Sequence, residues 1–256
     1  MDWYLNLLLF VSLGAAIGFV GAIVGIGGGL IAIPMLALVF SMPQQLAQGT
    51  ALLMIASNVV LTLRNYHKRS PIDFRSVAIG VAANVVATHL AALVAQDMSP
   101  VVLRNLFALF LGSVATFYVW QTLRKGKKRE AAAAGPSRPM GFIQYVILGS
   151  ISGAIGGLFG VGGSLILVPV MTVVYRFRQT SAQAMALSMI LPGTLVALIT
   201  YSWHGNTDWT VGIALSLGGM LMIRQGVRLA FYLPERTLKL IFAGVLYLTV
   251  ALLLLK

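Results

Sequence analysis

Two glycine clusters are the residues whose type and spacing point to chemistry. Gly25-Ile26-Gly27-Gly28-Gly29-Leu30-Ile31-Ala32-Ile33-Pro34 aligns without a gap on Gly160-Val161-Gly162-Gly163-Ser164-Leu165-Ile166-Leu167-Val168-Pro169, 135 residues further on. Glycines break a helix and let a ligand approach main-chain atoms closely. A helix restarting near Leu30 or Leu165 presents free N–H groups and the positive end of its dipole. Two such starts facing one another make a cage for an anion without a buried Arg or Lys. The site assigned on this basis comprises Gly27, Gly28, Gly29, Gly162, Gly163 and Ser164. Gln48, Thr50 and the repeat-related Gln183 lie just downstream and are candidate side-chain donors. Pro34 and Pro169 fall within the restarting segments and favour a bent or half-helical form.

Other chemistries are poorly served. No Gly-Lys-Ser/Thr follows either cluster, so a phosphate-cradling loop is excluded. No Ser/His/Asp pattern and no metal-ligand cluster is present, leaving Ser164 with a distant His as the one formal hydrolase alternative. No catalytic residue, metal or cofactor is assigned, and no enzymatic activity is expected. The chain contains no cysteine, which removes disulfides and thiolate sites. No acidic residue stands in mid-span, against a carboxylate relay or an acidic cation site. Gly14, Gly18 and Gly21, with Gly149, Gly153 and Gly156, read instead as small-xxx-small packing faces. Ser57, Asn58, Asn84, Ser188 and Thr194 read as packing residues, His89 as a satisfied structural histidine, and His204 beside Asp208 as solvent-facing.

The elements that must position the clusters are membrane helices. The chain has 256 residues, 59% hydrophobic and 9% charged, with a mean hydropathy of +0.91. A soluble domain carries roughly a quarter charged residues, so most of this chain lacks a water-facing surface. A span needs about 20 apolar residues, and stretches 46–63, 76–95, 101–123, 182–203, 209–223 and 236–255 qualify. Two more, 5–40 and 142–175, are too long for one crossing and are broken by the glycine clusters. Positions 13–52 and 148–187 share 16 identities in 40 aligned pairs, so the bundle is duplicated. The expected organisation is a first membrane repeat over 1–123, a basic linker over 124–140 and a second repeat over 141–256.

Charge sets the orientation of the halves. The net charge is +12, and Lys and Arg collect in cytoplasmic loops. If each broken stretch is a hairpin returning to its starting side, each half has a hairpin plus three crossings. The halves are then inverted and 16 of the 18 Lys and Arg face the cytoplasm. If each stretch crosses once, the division is 11 to 7. The first arrangement predicts an all-α polytopic protein of two inverted-topology repeats, with both termini periplasmic. The basic residues flank spans without interleaved aromatics, so they serve orientation and anionic lipid rather than nucleic acid.

With these motifs, the following Ala47-x-Gly49-Thr50, the length and the basic central loop, the chain resembles the sulfite exporter TauE/SafE family over essentially its whole length. It departs from its own first half at Ser164 and Met185, where the first half has Gly29 and Thr50. The resemblance implies a bacterial inner-membrane permease exporting sulfite or a small organosulfur anion such as sulfoacetate. The residues themselves point to an anion transporter working by alternating access between inverted halves. A channel on the same scaffold, a permease for another oxyanion or carboxylate, a membrane-embedded enzyme and a scaffold component are the alternatives. An oligomer is compatible with the small-residue faces.

Overall fold

A computed structural model describes residues 3–25, 27–68, 74–124 and 140–254. Ile26 and nearly all of the basic linker over 124–140 lie outside the described residues. The described residues form ten helices and no strand: α1 Trp3–Val24, α2 Gly29–Leu38, α3 Gln44–His67, α4 Phe74–Asp97, α5 Pro100–Arg124, α6 Phe142–Phe159, α7 Ser164–Val173, α8 Gln179–Trp203, α9 Trp209–Tyr232 and α10 Glu235–Leu254. Seven of them, α1, α3, α4, α5, α6, α8 and α9, contain segments long and apolar enough to cross a membrane. Large apolar side chains face outward as well as inward, among them Leu90, Leu109, Ile143, Ile199 and Leu221. Lipid, unlike water, imposes no penalty on that second apolar face.

The duplication extends beyond the aligned motifs. Helices α2, α3, α4 and α5 each begin 135 residues before α7, α8, α9 and α10. The C-terminal turns match as well. Ser41 and Arg176 take left-handed φ values of 53° and 59°. The next amides, of Met42 and Phe177, reach back to the carbonyls of Leu36 and Met171 at 3.2 and 3.0 Å. Some boundaries are set by local chemistry: the Asp208 carboxylate accepts from the Val211 amide at 3.0 Å and starts α9. That helix runs nine residues past the expected end of its span at 223. Arg224 and Arg228 continue it on its exposed side, the Arg228 head lying over the Tyr232 ring, and Pro234 follows its end. The broken stretches are also unequal: α1 has 22 residues and α6 has 18, whereas α2 and α7 have 10 each.

Packing pairs the halves reciprocally. α1 lies along α9, and α4 lies along α6, while α3 and α8 meet at the centre. The glycine faces make the first two contacts. A Cβ at Gly14 or Gly18 would overlap the backbone of Leu215 or Gly219, and one at Gly149 or Gly153 that of Gly80 or Asn84. These contacts advance in the same direction along both chains, so each of these helix pairs is parallel. α3 and α8 run the opposite way to one another. Tyr66, near the end of α3, bonds Gln183 near the start of α8, and Tyr201 near the end of α8 bonds Gln48 near the start of α3. These contacts are separated by about 27 Å along α3, which parallel helices could not satisfy. The Tyr66 hydroxyl also reaches Ala22 at the end of α1, and Gln45 at the start of α3 reaches Met98 just beyond α4. Gly212 and Gly219 of α9 meet Leu53 and Asn58 of α3 in the same order, so α3 runs parallel to α9 and hence to α1.

The glycine faces give a direct test. Gly153→Leu is expected to lower the thermal unfolding midpoint of detergent-purified protein, by about 1–3 kcal/mol of lost stability. Gly112→Leu, at a position with open space around it, should leave the midpoint unchanged. Equal midpoints for the two variants would remove the packing role.

Candidate functional site

The two breaks have matching backbones. Gly25, Gly27 and Gly28 have φ of 76°, 73° and 95°; Gly160, Gly162 and Gly163 have 68°, 77° and 73°. Only glycine adopts such a series without strain, which explains why three of the four cluster positions are glycine in both halves. Gly28 and Gly163 cap α2 and α7 in the left-handed conformation. The first intrahelical bonds of these helices come from the amides of Ile31 and Ile166. The amides of Gly29, Leu30, Ser164 and Leu165 therefore stand ahead of the helical ladder.

The breaks approach one another in the middle of the bundle. A Cβ at Gly29 would lie 3.7 Å from the Val161 Cα and would overlap the tip of Ile55. A Cβ at Gly162 would lie 3.2 Å from Ile190 Cδ1, 3.3 Å from Thr194 Oγ1 and 3.9 Å from Ile55 Cγ2. Ile55 and Ile190 are repeat-related residues near the midpoints of α3 and α8, so both helix starts open at mid-depth. Gly27, Gly29 and Gly162 line this centre. Gly28 and Gly163 instead turn toward α1 and α6, where added Cβ atoms would meet Ile17 and Ser152. Ser164 is fully buried, and its Oγ has no hydrogen-bond partner.

The candidate side chains divide differently from the sequence expectation. At the first break the last helical bond to Gly21 is kept, and side chains reach the three carbonyls that follow. Gly25 N–H donates to Gly21 O at 2.8 Å, Tyr66 Oη to Ala22 O at 3.2 Å, and Gln183 Nε2 to Ile23 O at 3.4 Å and Val24 O at 2.6 Å. Tyr66 Oη also lies 2.9 Å from Gln183 Oε1 and donates there as an alternative. Gln183 is thus a cap on the broken end of α1, its donors and acceptor all engaged. Around the second break Tyr201 Oη reaches Gly157 O at 3.1 Å, Leu158 O at 3.3 Å and Gln48 Oε1 at 2.9 Å. Gln48 is fully buried, and its Nε2 has no partner. Thr50 is placed elsewhere: its Oγ1 accepts from the Asp208 amide at 2.9 Å and anchors the connection between α8 and α9. Pro34 has a further effect. Lacking an N–H, it leaves the Leu30 carbonyl to accept from Thr249 Oγ1 at 3.0 Å, tying α2 to α10.

Tyr66 and Tyr201 are a repeat-related buried pair at the breaks that the sequence reading missed. They obey the 135-residue offset, but 14 positions beyond the aligned block, where apolar spans hide the register. Asn58 and Asn84 are buried hydrogen-bond partners, Asn58 Nδ2 donating to Gly27 O at 3.3 Å and Asn84 Nδ2 to Gly149 O at 3.4 Å and Ser152 Oγ at 2.9 Å. His89 Nδ1 pairs with Thr200 Oγ1 at 3.2 Å, a structural contact.

The model of the family described as "Sulfite exporter TauE/SafE" matches residues 10–253. Among curated proteins, the chain is 24% identical over 265 residues to the probable membrane transporter protein YunE of Bacillus subtilis, covering 95% of this chain and 96% of that one. A probable membrane transporter protein of Methanocaldococcus jannaschii is 25% identical, covering 78% of this chain and 74% of its own. One from Xylella fastidiosa (strain 9a5c) is 23% identical, covering 96% and 94%. No solved structure matches.

The difference between the two glutamines is measurable. Gln183→Leu strips the partners from the Ile23 and Val24 carbonyls and should lower unfolding stability in detergent by about 1–3 kcal/mol. Gln48→Leu removes one acceptor and relieves an unpartnered donor, so its loss should be smaller. Equal losses would contradict this assignment.

Proposed function

Since the chain belongs to the sulfite exporter TauE/SafE family, and is a multi-pass membrane transporter of that family, we propose that it exports a small sulfur-containing anion, sulfite or an organosulfur anion, across the bacterial inner membrane. The observation that carries this reading is the approach of the α2 helix start to the second break, beside Ile55 and Val161. Amides at the start of a helix suit an oxyanion. Non-helical backbone at this depth is tolerated where protein covers it or where it lines a path. The cell interior is electrically negative, which drives an anion outward without a coupled ion.

The antiparallel course of α3 and α8 supports inverted repeats, and the charge distribution orients them with both termini periplasmic. Alternating access then follows from one half rocking on the other. The Tyr66–Gln183 and Tyr201–Gln48 contacts bridge the halves toward opposite faces. Opening toward the cytoplasm separates the first pair, and opening toward the periplasm separates the second. Gly27, Gly29 and Gly162 form the floor of the binding site, Ser164 and Gln48 supply side-chain donors, and Gln183 holds the first break in shape. Gly28 and Gly163 set the turns that aim the helix starts.

Flux into proteoliposomes tests the reading with sulfite, sulfate, thiosulfate, sulfoacetate, phosphate, acetate and chloride. Saturable sulfite or sulfonate uptake, accelerated by anion on the opposite side, is expected. Gly29→Ala keeps helical φ and displaces only the flexible end of Ile55, so it should fold while cutting flux roughly tenfold, about 1.4 kcal/mol. Unaltered flux in Gly29→Ala would sink the site. Conductance without saturation would replace the carrier by a channel, and no flux from folded, inserted protein would remove the transport assignment.

A further inference from the structure

Resting on the proposed function only for which end of the bundle is cytoplasmic, we infer that the outward face of the α3–α9 pair binds an anionic phospholipid of the cytoplasmic leaflet, through Arg64, Lys68, Arg224 and Arg228. The two helices stay together from mid-depth to that end. A Cβ at Gly219 would overlap the Asn58 amide, and further along the rings of Tyr66 and Phe231 have centroids 5.2 Å apart. Arg64 falls between these contacts on α3, and Arg224 and Arg228 fall between them on α9. All three are exposed, as is Lys68 just past the end of α3. Helical spacing puts Val60, Arg64 and Lys68 on one stripe of α3, and Leu217, Leu221, Arg224 and Arg228 on one stripe of α9. The inner flank of the seam is closed by α1, which touches Gly226 of α9 and Tyr66 of α3. Both stripes therefore open on the outward side.

The cations have no counter-ion within the described protein. The carboxylates among the described side chains, Asp97 and Asp208, stand at the far end of the bundle, at the end of α4 and the start of α9. Loop charge sets orientation, but Arg224 stands eight residues before the end of α9, inside the span. It follows the exposed Trp209 by 15 residues, about 22 Å of helix, whereas the hydrocarbon is roughly 30 Å thick. An exposed arginine at that depth draws a headgroup phosphate inward while its stem stays among the acyl chains. Val60, Leu217 and Leu221 are exposed beneath it and give those chains an apolar floor.

The second repeat provides an internal comparison. It builds the same seam from α8 and α4, with Gly193 against the Asn84 amide where the first seam has Gly219 against Asn58. At the repeat-related positions, Arg64, Lys68 and Arg228 are matched by the exposed Ile199, Trp203 and Leu93, and Arg224 by His89. In the inverted arrangement the two seams face opposite leaflets, and the cytoplasmic one carries the charge that suits a phosphate.

The test titrates detergent-purified full-length protein with dioleoylphosphatidylglycerol and with dioleoylphosphatidylcholine, which share acyl chains and differ in headgroup charge. The readout is the unfolding temperature, which a lipid bound to the folded state raises. Phosphatidylglycerol should reach half-maximal stabilisation at a roughly tenfold lower concentration. The double variant Arg64→Gln, Arg224→Gln should bring it to the phosphatidylcholine value, with the lipid-free midpoint little changed because both side chains are exposed. The control pair Arg176→Gln, Arg178→Gln removes the same charge from the turn before α8 and should keep the preference. Equal response to the two lipids, or equal losses in the two double variants, would overturn the site. So would equal stabilisation by soluble glycerol 3-phosphate, which would make it a site for free anions. None of these readouts requires flux, so a protein that binds the lipid but transports nothing would count against the proposed function alone.

Discussion

Two helices end inside a hydrophobic bundle, and the carbonyls left over at those ends must find donors that lipid cannot provide. Tyrosines of the same half supply part of each end, and a glutamine of the other half completes the first. The α1 carbonyls from Ala22 to Val24 are held by Tyr66 and by Gln183 of the second repeat, and those of Gly157 and Leu158 at the end of α6 by Tyr201. Tyr201 in turn engages Gln48 of the first repeat. A lone first half would lose the Gln183 amide from the Ile23 and Val24 carbonyls. The first break and the Tyr201–Gln48 contact thus tie the two halves together around buried helix starts.

The same arrangement separates strength from adaptability. The long helices α1, α4, α6 and α9 pack backbone to backbone through glycine faces, a rigid frame in which no methyl group fits at Gly14, Gly149 or Gly153. The short helices α2 and α7 carry the site and are steadied by fewer ties, such as Thr249 on the Leu30 carbonyl. The two repeats are alike but not equivalent. Gln183 uses every polar atom it has, whereas Gln48 retains a free buried donor.

Much of the fold is legible in the sequence because its causes are local or repetitive. The charge depletion announces lipid, the 135-residue offset announces the duplication, and the glycine series announces left-handed backbone that the structure shows at Gly25, Gly27, Gly28 and their counterparts. The site was legible only in part. Gln183 and Thr50 read as ligand donors because polar residues in spans are rare and usually functional. In the structure the Gln183 amide holds the α1 carbonyls, and the Thr50 oxygen accepts from the Asp208 amide. The span ending at 223 extends to Tyr232 because a charged arginine in sequence looks like a boundary, whereas its stem in a helix is apolar surface.

By itself the sequence determined that this chain is a duplicated membrane bundle with two interruptions rich in backbone donors. These properties depend on hydropathy, on residue spacing and on the conformational freedom of glycine, all of which act within a few turns of chain. Only the tertiary structure decided which buried polar groups remain free. A hydrogen bond between Tyr66 and Gln183 joins residues 117 positions apart, and no local pattern records that distance. Whether a polar atom is a ligand donor or a structural cap is set by what the fold brings within about 3 Å of it.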